Sequence, residues 1–158
     1  MFQKTFIVCA VVAMAFTSCT KDEAVIPTPV APAKSKPELL QANHWRLTAW
    51  TGVMAGTTQN QDLYALLLDE CDYDDQYRFK AQGIMEFDQM TDICSPEDPK
   101  VIAATWVYTP ATNRLRFSAA GFEVDAVVIE LNDSTLRLDF EQSLLGVNFD
   151  HKWTLKKY

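Results

Sequence analysis

The chain is poor in the residues that most often carry chemistry: two histidines, four cysteines and five glycines in 158 residues. Neither His44 nor His151 has a serine or cysteine nearby in sequence to form a nucleophile pair. No CxxC pair is present, which argues against a structural zinc site. The scattered glycines form no phosphate-cradling loop. Basic residues are the minority, 14 Lys and Arg against 21 Asp and Glu, for a net charge of −7; this argues against nucleic acid and anionic lipid as partners. No internal repeat is visible, and no cofactor, metal or catalytic activity is expected.

What the chain does have begins at the N-terminus. Met1 to Lys4 form a short positive region, Thr5 to Phe16 an apolar run, and Thr17-Ser18 the small residues beside a cleavage point. The run is well short of the roughly 20 residues a membrane-spanning helix needs. Residues 1–18 therefore read as a signal peptide. Phe16-Thr17-Ser18-Cys19 resembles a lipobox, which makes Cys19 the lipidated first residue of the mature chain. Without Lys4 the balance is 13 against 21, or −8. Thr20-Lys21-Asp22-Glu23 resembles the surface-export signal of some Gram-negative lipoproteins. Pro27, Pro29, Pro32 and Pro37 then mark an extended tether, so residues 19–37 read as lipidated cysteine plus spacer. The expected address is the cell envelope, lipid-anchored to the outer membrane and facing the surface or the periplasm.

Residues 38–158 read as one folded domain. Its apolar period is 2: Trp45, Leu47 and Ala49 alternate with Arg46 and Thr48, and Leu136, Leu138 and Phe140 with Arg137 and Asp139. This pattern leaves Trp50 on the polar side. Further strands are predicted at Tyr77 to Lys80, Ile84 to Phe87, Ala103 to Tyr108, around Leu115 and Phe117, at Val124 to Leu131 and at His151 to Lys156. Eight short strands with short turns predict an all-β fold, a small antiparallel up-and-down barrel, with a sandwich as the alternative. One helix is expected over Asn60 to Asp69, with Asn60 as its cap.

Cys71 and Cys94 are equidistant from Gln82-Gly83, where Gly83 suits a tight turn, so they face each other across a hairpin. In an exported chain this spacing predicts a disulfide, whose 22-residue loop contributes about 3 kcal/mol on the chain-entropy model. The acidic run Asp69, Glu70, Asp72, Asp74 and Asp75 fails the EF-hand pattern. Counted from Asp72, Tyr77 and Gly83 stand where Gly and Glu are required, and a solvated acidic turn is the plainer reading.

The run Cys71-Asp72-Tyr73-Asp74-Asp75-Gln76-Tyr77-Arg78-Phe79, then Gly83, Cys94-Ser95-Pro96-Glu97-Asp98-Pro99 and Trp106, resembles the lipocalin-like domain of small bacterial lipoproteins. The resemblance covers most of residues 40–158. It implies a small antiparallel barrel, often with this disulfide, and no established enzymatic activity. Asn43 stands where true lipocalins carry Gly, two residues before the Trp45 of the first strand.

Two connections attract a functional reading. Residues 51–69 are long and carry Met54, Tyr64 and Leu67; residues 141–150 carry Leu145 and Phe149 around Gly146. The second is either an apolar loop or a longer strand pair turning at Gly146. If both close over one barrel end, Met54, Tyr64, Leu67, Leu145 and Phe149 form an apolar mouth. The expected function is then a lipid-anchored, non-catalytic module holding a small apolar ligand at the open end. The alternative is a filled barrel serving a structural or protein-interaction role, with an envelope protein as partner.

Overall fold

Alternating apolar residues need a common interior, and the chain supplies one by rolling its strands into a closed sheet. The structure, a computed structural model, describes residues 33–119 and 122–158. The signal peptide, Cys19 and nearly all of the tether lie outside the described residues. In chain order the elements are α1 (Lys36–Ala42), β1 (Trp45–Met54), β2 (Asn60–Asp62), α2 (Leu63–Leu67), β3 (Gln76–Phe79), β4 (Ile84–Asp88), β5 (Val101–Thr109), β6 (Arg114–Ala119), β7 (Phe122–Leu131), β8 (Thr135–Leu144) and β9 (Val147–Lys157). The eight predicted strands are β1 and β3 to β9. Each of β3 to β9 pairs antiparallel with its chain neighbour, and β1 closes the barrel between β3 and β9, so the expected all-β up-and-down barrel is present. β2 is an extra strand on the edge of β1, Thr51 to Val53 facing Asn60 to Asp62.

Closure is uneven. β1 and β9 pair along nearly their whole length, from Trp45 opposite Lys157 to Met54 opposite Phe149. β1 and β3 share a single residue pair, Trp45 and Tyr77. A bulge at Thr48 shifts the β1–β9 register by one residue and inverts the alternation beyond it. Trp50, expected outside, is consequently 8% exposed and part of the core.

The helical predictions are redrawn by local hydrogen bonding. Asn60 to Asp62 is strand, because its backbone completes the edge of β1; the Asp62 side chain, not Asn60, caps α2 by accepting the Ala65 N–H at 3.2 Å. α1 was not foreseen. It starts from a capping box, Ser35 with Glu38, and accommodates Pro37 in its first turn, where no intrahelical N–H is needed. α1 closes the barrel end at which β1 begins. Leu40 is fully buried, its carbonyl accepts the Trp45 Nε1–H at 3.0 Å, and Lys36 Nζ donates to Asn113 Oδ1 at 2.6 Å.

Two turns fix the hairpins. Gln82 and Gly83 both have positive φ and join β3 to β4. Leu145 (φ +52°) and Gly146 (φ +82°) form a two-residue loop between β8 and β9, with Leu144 opposite Val147 on the last rung. Residues 141–150 are therefore a long hairpin, not an open loop. The β3–β4 register places Cys71 and Cys94 within reach of each other, and they form a disulfide with Cα atoms 5.2 Å apart. It ties the acidic segment before β3 to the connection after β4. Cys71→Ala should lower stability by about 3 kcal/mol, read as a fall in the midpoint of chemical denaturation; adding reductant to the unaltered protein should reproduce it.

Candidate functional site

The first place to seek a site in a barrel is its axis, and here the axis is filled by rings. Trp153 of β9 meets Trp50 of β1 (centroids 5.5 Å apart), Tyr77 of β3 (6.0 Å), Phe117 of β6 (6.1 Å) and Phe140 of β8 (5.4 Å). Phe79 adds a further contact to Phe117 at 6.0 Å. Most of these pairs are tilted or edge-to-face, the arrangement that aromatic quadrupoles favour. Strands four to six residues long at β3, β4 and β6 leave little length for a cavity beyond this cluster.

The end opposite α1 is where an apolar mouth was expected. Met54 and Phe149 sit opposite each other on β1 and β9, and Tyr64, Leu67 and Phe149 are half-buried against the core. Tyr64 stacks on Tyr73 at 5.0 Å. Leu145 does not join them: it stands at the hairpin tip, 92% exposed. Leu63, on the apolar face of the predicted helix but outside the expected mouth set, is fully buried. A Cβ at Gly52 would lie 2.5 Å from Leu63 Cδ1 and 3.3 Å from the Phe149 ring, so Gly52 is what lets α2 drop Leu63 onto β1.

His151 is a buried packing residue. It stacks against Phe140 at 4.9 Å and Phe149 at 5.7 Å. The Trp50 Nε1–H donates to His151 Nδ1 at 3.0 Å, which leaves Nε2 to donate to the Gln142 carbonyl at 3.2 Å. Burial holds its pKa below the ordinary value, and both nitrogens are engaged by the neutral ring. His44 is exposed. With both nitrogens committed, His151 has no free atom for base catalysis.

A concavity lies outside the axis. An open groove of about 590 Å³ crosses β6 to β9, bordered by Asp125, Asp139, Phe140, Glu141, Asp150 and His151.

The model of the lipocalin-like domain matches residues 43–138. The chain belongs to the lipocalin-like domain family. No curated protein matches it. The match ends within β8, although the barrel is completed only by β9.

In this lipocalin-like barrel the weak seam between β1 and β3 carries a strongly perturbed carboxyl. Asp75 is 5% exposed, and its Oδ1 has no hydrogen-bond partner among the described residues. It borders a cavity of about 60 Å³ with Leu47, Leu68, Asp72, Tyr77 and Phe87. The other acids nearby are engaged: Asp72 accepts the Asp69 N–H at 2.9 Å, Asp74 accepts from Thr91 N and Oγ1 at 3.1 and 2.8 Å, and Asp88 pairs with Arg78 at 2.8 Å. Among the described residues, the one set of three acidic or sulfur ligands that converges is Cys71, Asp72 and Cys94, and its sulfurs are spent on the disulfide. Burial, reinforced by Asp72, Asp74 and Asp88, pushes the Asp75 pKa from 3.8 up to about 7. A carboxyl whose pKa is raised by folding stabilises the fold while protonated. That contribution is full below about pH 4 and is lost as pH rises through about 7. Asp75→Asn should therefore be the more stable protein at pH 8, by about 2 kcal/mol, with the difference shrinking toward pH 5. Denaturation midpoints of both proteins across that range check it, and parallel curves would refute it.

Proposed function

We propose that this is a lipid-anchored, non-catalytic protein of the cell envelope, held to the outer membrane through Cys19, whose filled barrel serves a structural or protein-interaction role. The observation that carries this reading is the ring cluster around Trp153, which occupies the space where a barrel of this size would hold a ligand. Leu63 and Phe149 at one end and α1 at the other add to it. Membership of the lipocalin-like family favours the other reading, a module binding a small apolar ligand. The two separate cleanly in their response to a probe.

An apolar fluorescent probe such as anilinonaphthalene sulfonate should show no saturable binding to the unaltered domain. Trp153→Ala opens a void on the axis, and it should gain probe binding while losing about 3–5 kcal/mol of stability. Stoichiometric binding by the unaltered protein would restore the ligand reading.

The anchor is tested separately. The protein recovered from membranes of cells expressing residues 1–158 should begin at Cys19 and carry diacylglycerol on its thiol, visible as added mass in the intact protein. An unmodified chain starting elsewhere would remove the anchor, and with it the outer-membrane address.

A further inference from the structure

The β7–β8 ladder stops early. Its rungs run from Leu131 opposite Leu136 to Val127 opposite Asp139, and among the described residues none follows, although β7 reaches back to Phe122 and β8 on to Leu144. β7 stays paired with β6 over this stretch, and β8 with β9. The two strands thus splay apart, leaving residues 122–126 and 140–144 as facing edges without strand partners across the gap. The groove of about 590 Å³ lies at this splay, with Phe140 and His151 at its base.

Unpaired strand edges are templates for a further strand, and an extended peptide added to one gains main-chain hydrogen bonds. The charge around the gap says which peptide. Asp125, Asp139, Glu141 and Asp150 border it, and Glu141 faces Asp150 directly on one β8–β9 rung, a like-charge pair that is unfavourable in isolation. Two cations also border it. Arg114 is already paired with Asp125 at 2.7 Å, and Lys152 lies opposite Asp139 on β9. Arg116 also holds Asp125, at 2.8 Å, so carboxylates exceed cations four to three; among the described residues no ion pair engages Glu141 or Asp150.

We propose that the free edge of β8, residues 140–144, docks an extended segment of a partner protein bearing basic side chains at alternate positions. This rests on the interaction reading above and names its surface. A second copy of the chain is the poorer occupant, because edge-to-edge pairing would bring the Glu141 side of one β8 against the acidic border of another.

The probe is a synthetic nine-residue peptide alternating Lys and Val, with a Glu and Val peptide of the same length as control. Amide exchange and chemical shifts of the ¹⁵N-labelled protein are followed during titration. The free protein should exchange amides at the outer edge of 140–144 rapidly. The Lys peptide should slow them and bind saturably, the Glu peptide should do neither, and Glu141→Lys with Asp150→Lys should weaken binding at least tenfold while leaving the thermal midpoint unchanged or raised. Slow exchange at these amides in the free monomer would show the edge already paired and overturn the proposal. So would shifts confined to other surfaces, binding indifferent to the charge reversals, or sedimentation as a dimer with this edge protected. Should the doubly substituted chain fold poorly, Asp150→Asn alone must still weaken binding. None of these outcomes touches the filled-barrel reading, which fails if the unaltered protein binds an apolar probe stoichiometrically.

Discussion

Everything else in this molecule depends on the pairing of its first strand with its last. β1 and β9 hold nine registered pairs between Trp45–Lys157 and Met54–Phe149, and this ladder turns a curled sheet into a barrel. It brings Trp50 onto Trp153 and onto His151, so the axial rings and the fixed imidazole both exist only after closure. The contacts are separated by about a hundred residues of chain, and their loop-closure entropy must be met before any of the axial packing stabilises the fold. The opposite flank of β1 is the reverse case. One pair to β3 closes it, and Asp75 lies buried beside that pair.

Much of this was legible in the residues. Period-2 alternation located eight strands, because each is buried on one face only, and the expected pairing of Cys71 with Cys94 is present as a disulfide, formed just beyond the end of the β3–β4 ladder. The failures have specific causes. Thr48 carries no sign of a bulge, since the extra residue is chosen by the pairing with β9 rather than by its own chemistry, and Trp50 was misplaced as a result. Pro37 read as tether because prolines precede it, yet proline is as well suited to the first turn of a helix as to an extended spacer. Leu145-Gly146 was ambiguous because leucine is an unusual occupant of a left-handed turn position, where Asn or Asp would have announced a hairpin. The splay of β7 from β8 was not legible at all: it is a difference between two neighbours' pairing lengths.

The expected mouth residues show how local pattern and tertiary placement part company. Met54 and Phe149 do meet, and Tyr64 and Leu67 do pack nearby, but Leu63 takes the innermost position and Leu145 stands away from all of them. Apolar side chains in long connections signalled packing demand correctly. They did not signal whether that demand was met by protein or by a ligand, a question decided by volume on the axis.

The last described residue returns to the start of the barrel: the Tyr158 backbone N–H donates to the His44 carbonyl at 2.9 Å, beyond the pairing of Trp45 with Lys157. Strand order in space is therefore a ring, with the two ends of the barrel's chain path meeting beside α1. A short bridge from Tyr158 to His44 would make the break between them movable, so that the same barrel could be written from a different first strand. Cargo fused after Tyr158 would likewise emerge at the plugged end, leaving the splayed edge and the hairpin tip unobstructed.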